Sequence, residues 1–108
     1  MKAYRHLIKH ALRTGFTLSE FSWGDEYDIE RSSSFRPIVE AVEAVGECIL
    51  VIHGQDSKRI ARVQIIPGLA DDETVADWAA SNAEVTNWLE VWSEDYADHQ
   101  NRAARLMA

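Results

Sequence analysis

Apolar positions along the chain recur in two rhythms, a helical one near 3.6 residues and a strand one of 2. Tyr4, Leu7, Ile8, Ala11 and Leu12 fall at i, i+3, i+4, i+7 and i+8, which predicts an amphipathic helix over 3–14. Gly15 stands where a left-handed residue would end it. Residues 16–31 alternate and predict a β-hairpin about a two-residue Gly24-Asp25 turn. That turn sets Ser22 opposite Tyr27, Glu20 opposite Ile29 and Leu18 opposite Arg31. Phe16, Leu18, Tyr27 and Ile29 then share the core face, while Phe21 and Trp23 point away from it.

Phe35, Ile38, Val39, Val42 and Val45 predict a second helix over 34–45, with Ser33 or Ser34 as its cap and Pro37 in its first turn. Cys48–Ile52 is apolar on both faces, as a central strand is. Gly54-Gln55-Asp56-Ser57 turns the chain, and Ile60–Ile66 returns with Ala61, Val63 and Ile65 on one face. Asp71-Asp72-Glu73 reads as an acidic helix start, with a short helix through Val75, Trp78 and Ala79. Ser81 and Glu84 form a capping-box pair for a last helix whose stripe is Val85, Trp88, Leu89, Trp92 and Tyr96. Apolar content thins beyond Tyr96, so 97–108 is expected to fray. The expected architecture is α+β: an N-terminal helix, two hairpins bridged by a helix in a four-stranded antiparallel sheet, and a helical tail. Phe21 and Trp23 would lie against the tail tryptophans.

At 108 residues the chain is expected to be one domain, 1–108. A single cysteine leaves no internal disulfide and fits a reducing compartment, so the expected location is cytoplasmic. No apolar run approaches the roughly 20 residues of a membrane span, and the basic start has no apolar segment after it. The net charge of −7 is unevenly distributed: residues 1–15 carry four basic residues and no acid, whereas 71–108 carry nine acids and two arginines. Such an acidic balance disfavours general nucleic-acid binding, which phosphate neutralisation drives.

Few residues suggest catalysis. His6 and His10 have a ligand-like i, i+4 spacing, but Leu7 stands where a zincin needs glutamate, so they read as solvated histidines. Asp95 and His99, with Glu94 and Asp98, have no nucleophile spaced to partner them. Cys48 leads an apolar strand beside Glu47 and reads as a packed thiol. The glycines form no phosphate loop, and Ser32-Ser33-Ser34 has no flanking glycine to make it a nucleophile elbow. The expectation is no enzyme, no metal and no cofactor.

The stretches Gly15-Phe16-Thr17-Leu18, Gly24-Asp25-Glu26 and Ile29-Glu30-Arg31-Ser32, taken with Ile65-Ile66-Pro67-Gly68 and Asp71–Asp77, carry a resemblance. Over most of residues 5–96 the chain resembles small uncharacterised proteins encoded by tailed phages and prophages. The resemblance implies a bacterial or phage cytoplasmic setting and an accessory role. It brings no activity and no functional residue with it.

The acidic, tryptophan-rich tail is the most unusual feature, because tryptophan is enriched both in binding hot spots and in cores. The expected function is binding another protein, or a second copy of the chain, through Phe21, Trp23, Trp88, Trp92, Glu90 and Asp95. One alternative is an acidic nucleic-acid mimic that inhibits a DNA-handling enzyme. Another is weak nucleic-acid binding through the first helix and the 58–62 loop. The basic first helix would otherwise pair with the acidic tail.

Overall fold

The computed structural model describes residues 1–21 and 29–107, with Phe21 and Met107 described by their backbone alone. Helix α1 spans Ala3–Thr14 and strand β1 Thr17–Phe21. Strand β2 spans Ile29–Ser32 and helix α2 Phe35–Glu43. Strands β3 (Cys48–His53), β4 (Arg59–Ile65) and β5 (Val75–Ala80) follow, and helix α3 (Ala83–Met107) closes the chain. The strands form one antiparallel sheet in the order β2-β1-β3-β4-β5. Among the described residues no helix is long and apolar enough to cross a membrane.

The α+β class and the terminal helices are as expected, but among the described residues the sheet has five strands where four were expected. The difference lies at 75–80. Val75, Trp78 and Ala79 fit a helical spacing, but the segment is extended and pairs with β4, Ala61 facing Ala80 and Val63 facing Trp78. A run this short satisfies either period. The unpaired outer edge of β4 decides between them, because strand pairing satisfies its backbone groups. The acidic triplet forms only a 3₁₀ turn, Asp71–Glu73. Thr74, wholly buried, then receives the Tyr4 amide on its hydroxyl and the Ile66 amide on its carbonyl.

Local signals act as their chemistry demands in some places and yield in others. Gly15 ends α1 at φ 95°, and the amides of Gly15 and Phe16 close a Schellman pair on Leu12 and Ala11. Helix α3 is capped by Asn82, whose side-chain oxygen takes the Val85 amide, rather than by Ser81. Ser34 makes no side-chain cap on α2. Glu20 faces Ile29 as expected, but Leu18 faces Ser32 instead of Arg31. Glu30 and Arg31 bulge between these pairs, with Arg31 at φ 43°. The Gly24-Asp25 turn and the Ser22–Tyr27 pair lie outside the described residues.

Register places Leu18, Ile52, Ala61 and Ala80 in one cross-strand row, and Glu20, Leu50, Val63 and Trp78 in the next. All three helices cover this face. Tyr4, Leu7, Ile8, Ile38, Val42, Val85, Leu89 and Trp92 join the strands' apolar rows in one core. Glu20 is wholly buried on the same face. The tail tryptophans therefore join the main core and do not underlie the opposite face of the first hairpin.

Candidate functional site: the two sides of helix α3

Val85, Leu89, Trp92 and Tyr96 recur every three or four residues, so they lie on one side of α3 and are buried. Trp92 is only 2% exposed. Its indole N–H donates to His6 Nδ1 at 2.9 Å, and its ring lies edge-on to Trp78 at 6.3 Å. The Tyr96 hydroxyl donates to the carbonyls of Met1 (2.7 Å) and Asp71 (3.2 Å). Half-buried Trp88 stacks on His10 at 4.9 Å, meets Phe16 edge-on, and donates to Thr14 Oγ1 at 3.2 Å. The aromatic side of α3 is thus bolted to α1 by hydrogen bonds as well as packing.

The two α1 histidines belong to this seam. They are half-buried against aromatic rings, which corrects their reading as solvated. Burial holds both imidazoles below the usual histidine range. For His6 the charges of His99, His10 and Arg13 add to that depression and Asp95 opposes it. For His10 Asp95 opposes and Arg13 assists. Burial, with the charges of Asp71 and Asp72, pushes the Tyr96 phenol up to about 12.

The opposite side of α3 is acidic and solvated. Glu84, Glu90, Glu94, Asp95 and Asp98 are all exposed, and Val91 among them is 44% exposed. Helix α3 continues as helix through 97–107, the segment expected to fray, and Leu106 there is 89% exposed. Of the sequence-predicted binding residues, Glu90 and Asp95 are on the surface, Trp88 is half-buried and Trp92 is inside. Trp23 and the Phe21 side chain lie outside the described residues. The six are therefore not assembled into one patch by the residues that are described. Trp92 serves the core, because its ring completes the row that seats α3 on α1 and β5.

Among the described residues the basic side chains at the start of the chain form no ion pair with this acidic side. Arg5 forms an ion pair with Glu43 of α2, whose carboxylate also accepts the Tyr4 hydroxyl. Lys2 donates to the Pro67 carbonyl, and Lys9 lies over the Phe35 ring at 5.2 Å. Lys2, Tyr4, Arg5, Glu43 and Pro67 border a cleft of about 780 Å³ between the start of α1, the end of α2 and the Pro67-Gly68 turn.

Sequence reasoning missed one polar pair. On the face of the sheet away from the helices, Ser19 Oγ and His53 Nε2 lie 2.8 Å apart. His53 Nδ1 is 3.3 Å from the Ser57 carbonyl, and the Arg31 amide donates to Ser19 Oγ at 2.9 Å. A serine hydroxyl donating to an imidazole that a carbonyl orients is the geometry of an activated nucleophile. Ser19, however, has no exposed surface. The pair ties the β2 bulge to β1 and β3. The available signal was strand alternation: Ser19 and Thr17 on β1, and His53 at the end of β3, share one face.

Cys48 is buried, as its apolar strand implies. Among the described residues no group of three or more histidine, cysteine, aspartate or glutamate side chains converges as metal ligands would. No family model, no curated protein and no solved structure matches the chain.

Proposed function

We propose that the chain is a non-enzymatic accessory protein, of the type carried by tailed phages and prophages, that works by binding another protein through the acidic side of α3. One observation carries the reading. The aromatic side of α3 is anchored to α1 and β5, so Glu90, Glu94, Asp95 and Asp98 are presented by a rigid helix around the exposed Val91. A pre-ordered row loses little entropy on docking, and its charges would steer a partner with a basic surface. The test compares the wild-type chain with the triple variant Glu90→Lys, Glu94→Lys, Asp95→Lys as immobilised bait. A defined partner retained by the wild type, released as salt rises and lost by a folded triple variant is the expected result. Equal retention by both baits defeats the reading.

The i, i+4 row Glu90–Glu94–Asp98, rising about 6 Å per step, favours a second reading as an acidic nucleic-acid mimic. It predicts that the retained partner is a DNA-handling enzyme and that duplex DNA displaces the chain from it. A partner whose binding is indifferent to DNA excludes that mode.

A further inference from the structure

We propose that the α1–α3 seam is a pH-operated latch, in which protonation of His6 at Nδ1 releases Trp92 and frees the C-terminal half of α3 from α1. The Trp92–His6 hydrogen bond fixes which ring nitrogen of His6 carries the proton. An indole N–H can only donate, so His6 Nδ1 must accept, which it does only with a lone pair. The neutral ring therefore carries its proton on Nε2. A proton added at Nδ1 sets donor against donor, and Trp92 is too buried for water to take over its N–H.

The groups facing His6 decide how the latch responds. From α1 come His10 and Arg13; Lys2, Arg5 and Lys9 are turned to Pro67, Glu43 and Phe35. From α3 come Asp95, Tyr96 and His99, the last with its ring centre 5.4 Å from that of His6. From the 3₁₀ turn Asp71 and Asp72 act on Tyr96, which stays neutral throughout the relevant range. The sum is a ring held below its ordinary range by burial and by like charge, with Asp95 the opposing acid. The unfolded chain, with ordinary histidines near pH 6.5, then binds protons that the docked seam refuses. The docked state keeps its full advantage above about pH 6.5 and loses it as pH falls toward the depressed folded value. His10, stacked on Trp88 and also depressed, adds to the loss with the same sign.

Beyond Trp92 the helix is held by Tyr96, a core residue, and by one contact with the chain start. Tyr96 bonds to the Met1 and Asp71 carbonyls, and the Met1 amino group reaches Gln100 Oε1 at 3.5 Å. Residues 101–106 have mostly exposed side chains. Losing the Trp92 bond therefore loosens 92–107 while leaving β3 and β4 intact. The latch operates with no partner bound.

Nitrogen-15 NMR of the whole chain tests it. At pH 7.5 His6 should be the Nε2–H tautomer and the Trp92 indole proton should be protected from exchange. At pH 5 the protection factors of that proton and of amides 92–107 should fall at least tenfold, those of β3 and β4 holding. His6→Gln can still accept from Trp92 but cannot titrate, so it should keep most of its protection at pH 5, with His10 accounting for the remaining loss. His99→Gln removes a like charge and should move the wild-type midpoint to higher pH. Unchanged protection in the wild type between pH 7.5 and 5 overturns the proposal. An Nδ1–H tautomer for His6, or a midpoint lowered by His99→Gln, does so as well. The wild-type titration decides the matter even if His6→Gln fails to fold.

Discussion

The two sides of α3 share one backbone and differ in almost everything else. On one side Val85, Leu89, Trp92 and Tyr96 are buried, and their polar atoms find partners on α1 and at the chain start. On the other, Glu90, Glu94 and Asp98 stand in solvent, with Asp95 exposed on the border, where its charge acts on His6 and His10. The seam side determines where the helix is. The acidic side costs the fold little and, in the proposed function, serves recognition. A tryptophan in an acidic helix is thus no guide to a binding surface until the side it occupies is known: Glu90 and Trp92 are two residues apart and do opposite things.

Changes that break this contrast differ in size. Trp92→Ala should cost about 3–5 kcal/mol, as large aromatic truncations in a core do, and should lower the urea midpoint sharply. A loss below about 1 kcal/mol would put Trp92 outside the core and collapse the comparison. Tyr96→Phe keeps the ring and removes the hydroxyl that bonds Met1 and Asp71. It should cost on the order of 1 kcal/mol and raise amide exchange near Met1 and Gln100 more than in β3. The paired change Glu90→Gln and Glu94→Gln should alter stability by no more than about 0.5 kcal/mol, while weakening the proposed docking. A stability change several times larger would mean that the acidic side also supports the fold.

Much of this was legible in the chain. Tyr4, Leu7, Ile8 and Ala11 marked the buried side of α1, Gly15 its end, and Ala61, Val63 and Ile65 the inward side of β4. The stripe of α3 was legible too, with Trp88 and Trp92 on it, but not whether it met the core or a partner. The 75–80 segment was misread because six residues satisfy two periods at once. His6 looked solvated because its partner, Trp92, is 86 residues away. The Ser19–His53 pair likewise joins strands 34 residues apart.

By itself, the sequence determined which sides of its helices and strands are apolar, where two of the turns fall and how charge is spread, since each depends on neighbours a few positions apart. Tertiary structure alone decided that β5 completes the sheet, that tryptophans of α3 seat on α1, and that an imidazole accepts an indole proton there. These arrangements bring distant residues into contact. Competition among alternative pairings, decided by burial and hydrogen-bond satisfaction across the whole molecule, selects them; no local rhythm encodes the outcome.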